Sequence, residues 1–160
     1  MARDKIPATQ AIRILKKLKI KYIPHQYKYA EKGGTKTSAK ELKIDEHQII
    51  KTLVMEDEHQ NPLIILMHGD CEVSLKHLAR QLNVKKITPC NASKADHVTG
   101  YQTGGISPFG TKQELPIYIE ETIAKLDRLI INGGRRGLLV EIAPADLIKT
   151  LSPIIVSVAI

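Results

Sequence analysis

The segment Gly104-Gly105-Ile106-Ser107-Pro108-Phe109-Gly110-Thr111-Lys112 is the part of this chain best suited to holding a reacting group. Its glycines let backbone amides approach a ligand closely, and its proline stiffens their arrangement, so the loop can hold an anion or a polarised carbonyl. It is not a phosphate-binding P-loop, because Thr111 and Lys112 stand in inverted order after Gly110 and no clear buried strand leads into it. Nor is it a nucleophile elbow, since an extra residue separates Ser107 from Gly110. A plain structural turn is the competing reading. Lys51 is the second candidate: it interrupts the apolar run Ile49-Ile50 to Leu53-Val54, so its charge must face solvent, a partner or a cleft. Taken alone, a strand lysine ordinarily lies on the wet face. The third is Asn132-Gly133-Gly134-Arg135-Arg136-Gly137, read as a tight turn whose two guanidinium forks suit phosphate oxygens; a bare hairpin is the alternative.

Other chemistries find less support. His68-Gly69-Asp70-Cys71 with His77 supplies zinc-type donors, but no CxxC, HxxxH or HExxH spacing occurs and His77 belongs on the polar face of a helix, so no metal site is expected. Cys71 and Cys90 are expected as reduced thiols. Glu56/Glu58 and Glu120/Glu121 fall in turns and read as solvated surface.

The chain has 160 residues, 42% hydrophobic and 26% charged, which fits one soluble domain spanning 1–160 and excludes collagen-like and largely disordered classes. No apolar stretch reaches the ~18 residues of a membrane span, and no signal-length apolar run follows Met1 to Pro7, so a cytoplasmic location is expected. The formal charge of +7 attracts polyanions, and Lys16, Lys17, Lys19, Lys21, Lys85, Lys86 and Lys94 could track phosphates if folding gathers them. With no Trp and one Phe, phosphate contact is expected rather than base stacking.

Periodicity predicts helices over Pro7–Leu18, with Pro7 in the first turn, Thr35–Leu42, Leu75–Leu82 capped by Ser74, Asn91 to about His97, and Pro144–Leu151. Strands are expected at Tyr22–Tyr27, an edge because of Pro24, and at Gln48–Met55 in a hairpin with Leu63–His68. Further strands are expected at Lys85–Pro89, Ile117–Ile119, Leu126–Ile131, Leu138–Ile142 and Ile154–Val158. Hairpins among irregularly alternating helices and strands indicate an α/β fold of α+β character: a mixed, mostly antiparallel sheet covered by helices.

Ile50-Lys51-Thr52-Leu53-Val54, Thr99-Gly100-Tyr101, the Gly104 to Gly110 loop and Gly133-Gly134-Arg135-Arg136-Gly137, in this order, resemble the YbaK-type aminoacyl-tRNA deacylases, freestanding relatives of the prolyl-tRNA synthetase editing domain. The resemblance extends from Pro7-Ala8 and His25-Gln26-Tyr27 to Glu141–Leu147. It implies ester hydrolysis on mischarged tRNA, typically Cys-tRNA(Pro), without metal or cofactor, with tRNA and prolyl-tRNA synthetase as partners. It also implies that Lys51 places the terminal adenosine and its phosphate, that Gly104 and Gly105 contact the aminoacyl carbonyl, and that Tyr27 lines the pocket. Tyr101, Ile106, Ser107, Pro108, Asn132, Arg135 and Arg136 complete the expected substrate-binding set. No protein nucleophile is needed, because in the cysteine branch the substrate's own thiol is thought to attack. Where relatives carry Ser and Asp, this chain carries Asn132 and Leu139; Leu139 cannot hydrogen-bond, which bears on amino-acid preference. The rival expectation is a non-catalytic RNA- or synthetase-binding module of the same fold.

Overall fold

The computed structural model describes residues 5–160. Met1 to Asp4, on which the expectation about the leading segment partly rests, lie outside the described residues.

Helix α1 spans Gln10–Lys17 rather than starting at Pro7. The Thr9 hydroxyl accepts the Ile12 amide at 3.1 Å and fixes the first turn there, leaving Pro7 in the preceding extended segment. Strand β1 (Ile23–Gln26) is followed by α2 (Gly34–Leu42), β2 (Ile49–Asp57), β3 (Pro62–His68), α3 (Leu75–Leu82), β4 (Ile87–Pro89) and α4 (Ala92–Thr99). Then come β5 (Ile117–Glu120), β6 (Leu129–Arg135), β7 (Leu138–Ile142), α5 (Pro144–Leu151) and β8 (Ile154–Val156). The expected caps Ser74 and Asn91 hold α3 and α4 through the amides of His77 and Lys94.

Among the described residues the strands form one mixed sheet, ordered β1-β7-β6-β2-β3-β5-β8 with β4 added beside β2. The β1–β7, β7–β6, β2–β3 and β2–β4 pairs are antiparallel, and the β2–β6, β3–β5 and β5–β8 pairs are parallel. β1 takes the edge that Pro24 demands. Alternation along β2 sorts the molecule into layers. Ile50 and Val54 face a core built with Ile12 and Leu15 of α1, Val98 of α4 and Leu147 of α5. On the other face Ile49 packs with Ala39 of α2 and with Leu139, while Met55 packs with Leu78 of α3.

Two departures bear on the site. The stretch Asn132–Gly137 is not all turn: β6 runs on to Arg135 with a bulge between Asn132 and Arg135, and the reversal is confined to Arg136 and Gly137. Glycines at 133 and 134 accommodate that bulge, with Gly134 at φ 96°. Glu120, expected as solvated surface, is 2% exposed and accepts the amides of Val158 and Ala159, at 2.6 and 3.1 Å. Those contacts end β8 at Val156, two residues short of the expected Val158, and dock the tail.

Candidate active site

A gap in the sheet makes the cleft. β3 runs along one edge of β2 from Ile50 to Glu56, while the other edge carries β6 only at Ile49–Ile50 and β4 only at Met55–Asp57. Among the described residues, Lys51, Thr52 and Leu53 therefore have no strand neighbour on that side. The gap opens into a cavity of about 770 Å³, a volume suited to a nucleoside-sized ligand. Around it stand Tyr27 and Tyr29 after β1, Ser38 of α2, Cys90, Gly104 and Ile106. Asn132, Arg136 and Leu139 of the β6–β7 hairpin close the wall.

Lys51 is half-buried on the face it shares with Ile49 and Met55, and its Nζ donates to the Cys71 carbonyl at 2.6 Å. The charge thus has both a partner and a cleft, and that carbonyl fixes its position without neutralising it. Gly104 lines the same cleft and is held by one hydrogen bond of its own and by others to its neighbour Thr103. Asn132 Nδ2 donates to the Gly104 carbonyl at 3.2 Å, while Asn132 Oδ1 accepts the amides of Gly134 and Arg135 at 2.7 and 3.2 Å. Arg136 Nε donates to the Thr103 carbonyl at 2.9 Å, and its guanidinium lies 4.9 Å from the centre of the Tyr29 ring. Thr103 is further held through its amide and hydroxyl by Asp96 Oδ1. Gly104 itself sits at φ 91°, where an added Cβ would lie 2.5 Å from the Tyr29 hydroxyl.

The fold brings together Lys51, Tyr27, Gly104, Ile106, Asn132 and Arg136 from the expected set. It places the others elsewhere. Gly105 is buried against the hairpin, where a Cβ would meet the Arg136 amide nitrogen at 2.6 Å, and its own amide donates to the Gln102 carbonyl at 2.7 Å. Its amide is therefore already engaged within the loop. Tyr101 is buried in the core, its hydroxyl donating to the Phe109 carbonyl, and burial pushes its phenol up to about 12. Ser107 is fully buried and accepts the Phe109 amide at 3.1 Å, so it shapes the loop; Pro108 is buried beside it. Arg135 is exposed outside the cleft, whereas Arg136 is engaged by Thr103 and Tyr29.

Sequence reasoning missed Tyr29, Thr52, Thr103 and Cys90. Tyr29 lay in a segment with no periodicity, and Thr52 reads as an ordinary strand residue. Thr52 Oγ1 is buried beside the cleft with no hydrogen-bond partner among the described residues. Burial raises the Tyr27 phenol above its ordinary value, Tyr29 adding to the effect, and burial likewise raises the Cys90 thiol.

The zinc-type donors noted in the sequence take different partners in the fold. His68 is fully buried, its Nδ1 bonded to the His47 carbonyl and its Nε2 to the Thr122 hydroxyl, both at 2.7 Å, while His77 is exposed on α3. His47 instead stacks on His68 and bonds Asp70 at 2.8 Å, with Cys71 Sγ close by. Burial opposes the Asp70 charge, but the His47 hydrogen bond and nearby charge hold its carboxyl below the ordinary value. Burial and the charge of Asp70 raise the Cys71 thiol. These contacts order the turn whose Cys71 carbonyl holds Lys51.

Residues 32–150 match the aminoacyl-tRNA editing domain. The chain belongs to that family. It is 30% identical over 142 residues to EbsC of Enterococcus faecalis, a candidate Cys-tRNA(Pro)/Cys-tRNA(Cys) deacylase, covering 88% of this chain and 87% of EbsC. It is also 26% identical over 93 residues to the proline–tRNA ligase of Lactobacillus gasseri, a match spanning 58% of this chain but 16% of that enzyme. A crystal structure of a candidate trans-editing enzyme for prolyl-tRNA synthetase superimposes with a TM-score of 0.80 at 20% identity, covering 96% of this chain and 98% of that one. That likeness carries the fold; the family match carries the editing class.

Proposed function

We propose that this editing-domain protein acts in trans in the cytoplasm as an aminoacyl-tRNA deacylase, cleaving Cys-tRNA(Pro) by a substrate-assisted route. The observation that carries the reading is the joint placement of Lys51 and Gly104 on one cleft of nucleoside size at the gap in the sheet. A cation held on a rigid strand orients the anionic 3′ end, and a clamped glycine loop presents its backbone to the aminoacyl carbonyl as negative charge develops on its oxygen. Because the Gly105 amide is bonded to Gln102, Gly105 serves to position the loop, and the contact falls to Gly104 and Ile106.

The chemistry is carried by the substrate. Its thiol, losing a proton, attacks the ester carbonyl; a C–S bond forms, the bond to the ribose oxygen breaks, and that oxygen takes up a proton as tRNA leaves with a cyclic thiolactone as the other product. The Lys51 ammonium and the loop stabilise charge in this step and form no covalent bond. Leu139, packed among Ile49 and Ala39, gives this part of the wall an apolar surface, which suits a small, weakly polar side chain such as that of cysteine. tRNA(Pro) and prolyl-tRNA synthetase are the partners this reading assigns.

The test is hydrolysis of Cys-tRNA(Pro), Ala-tRNA(Pro) and Pro-tRNA(Pro) by the purified protein with chelator present. Cys-tRNA(Pro) should be lost fastest. A preference for alanine would overturn the thiol route in favour of ribose hydroxyl or water. Binding of tRNA with no hydrolysis of any ester would establish the non-catalytic module instead.

A further inference from the structure

Positive charge is unevenly distributed along the chain. Between Val73 and Ala95 the chain carries Lys76, Arg80, Lys85, Lys86 and Lys94 and no acidic residue. Lys94 is taken: its ammonium pairs with Glu56 and donates to the Gln60 carbonyl. The other four are exposed and form no ion pair among the described residues. Lys76 and Arg80 stand four residues apart on α3 and so share a face. Asn83, left-handed at φ 56°, ends the helix and turns the chain back so that the Val84 amide bonds the Ala79 carbonyl at 2.9 Å. That return sets Lys85 and Lys86 beside the helix, and the four cations together line a groove of about 330 Å³ floored by Ala79 and Ile87. Glu58 is the carboxylate bound at this turn; it accepts the amides of Lys85 and Lys86 at 3.1 to 3.3 Å, leaving their ammonium groups to reach outward.

The groove adjoins the cleft. Ile87 at one end of β4 lines the groove and Pro89 at the other lines the cleft, two residues or about 7 Å apart along an extended strand. α3 also packs on the sheet face to which Lys51 and Met55 belong, whereas α1 with Lys16 and Lys17 packs on the opposite face. We propose that the groove of Lys76, Arg80, Lys85 and Lys86 binds the phosphate backbone of the tRNA whose aminoacylated end enters the cleft. This rests on the deacylase reading for the identity of the RNA. The exposed large apolar side chains among the described residues, Leu18, Ile23, Ile154, Ile155 and Ile160, lie outside the groove, which is thus a polar rather than a membrane-inserting surface. Four unpaired cations around a narrow floor fit a phosphate chain.

The experiment measures binding of uncharged tRNA(Pro) to the full chain across a salt series, so its outcome does not depend on hydrolysis. Lys85→Gln/Lys86→Gln and Lys76→Gln/Arg80→Gln are compared with Lys16→Gln/Lys17→Gln on α1; all are exposed positions whose folding is checked by thermal unfolding. Each groove pair should weaken binding several-fold and lower the slope of log affinity against log salt by about 2, one per lost phosphate contact, with the α1 pair close to wild type. In turnover, the groove pairs should raise KM and leave kcat within about twofold. Unchanged affinity and slope in the groove pairs, an equal loss in the α1 pair, or equal capture by anionic lipid vesicles would overturn the groove. A wild-type protein that binds tRNA through the groove but hydrolyses no ester would instead sink the deacylase reading alone.

Discussion

Adjacent glycines do different work in this site. Gly104 needs its left-handed φ of 91°, and a Cβ there meets the side-chain tips of Tyr29 and Arg136, whereas a Cβ on Gly105 meets the backbone of Arg135 and Arg136 at 2.6 to 2.9 Å. Gly105→Ala should therefore destabilise the fold by about 1–3 kcal/mol, because backbone cannot step aside. Gly104→Ala should cost about 1–2 kcal/mol and lower deacylation by more than its loss of stability accounts for. Thermal unfolding and single-turnover hydrolysis of the two variants, side by side, check this; a Gly105→Ala variant as stable as wild type would refute the close packing of Gly105. His68 gives the molecule a pH dependence. Burial, followed by the charge of His47, lowers its pKa from the ordinary 6.5, outweighing the hydrogen bond to the His47 carbonyl and the nearby acids. The unfolded chain then binds a proton that the native state refuses, so this contribution is fully present above about pH 6.5 and is lost as pH falls from there to the lowered value. The melting temperature should fall through that window. His68→Gln should flatten the fall while lowering stability at pH 8; an unchanged pH profile in the variant would place the titration elsewhere.

The β6–β7 hairpin joins the fold to the site. Its bulge turns the Asn132 side chain into a bracket, with Oδ1 on the Gly134 and Arg135 amides and Nδ2 on the Gly104 carbonyl. Asn132→Ala should reduce kcat/KM about tenfold, the loss of roughly one hydrogen bond from the loop, with kcat falling more than KM rises. Asn132→Ser should recover part of it, and a variant matching wild type would show the bracket to be dispensable. Residue types made most elements legible: Ser74, Asn91 and Pro24 signal two caps and an edge strand through rules that act within a few residues. What escaped depends on distant partners. Thr9 outranks Pro7 as the start of α1 and also hydrogen-bonds the Gly133 carbonyl across the molecule. Glu120 is buried because the chain's own tail supplies amide donors to it, which no local pattern encodes. Glu120→Ala, which removes the acceptor of both tail amides, should release that tail and cost about 1–3 kcal/mol, read by thermal unfolding and by faster amide exchange at Val158.

At the scale of the molecule, the site is a consequence of sheet topology: β6 and β4 meet β2 at its two ends and leave Lys51 to Leu53 open between them. The motifs in the sequence indicated that Lys51, the Gly104 loop and the Asn132 hairpin belong together, but they did not distinguish lining from support. Tyr101, Ser107 and Gly105 turn out to brace the loop from within, since burial of a hydroxyl or the direction of one amide follows from packing over the whole chain. Charge is likewise divided by the fold: lysines that are neighbours in composition lie on opposite faces of the sheet. In the proposed reaction Lys51, fixed by the Cys71 carbonyl at 2.6 Å, acts on the ester in the cleft. The measurement that tests it most directly is single-turnover hydrolysis of Cys-tRNA(Pro) at saturating protein by wild type and Lys51→Ala, with folding and tRNA binding of the variant checked in parallel. The expected result is a folded variant that still binds tRNA but has lost at least about a hundredfold in rate, in keeping with removal of a preorganised charge. A saturated rate equal to wild type would contradict it.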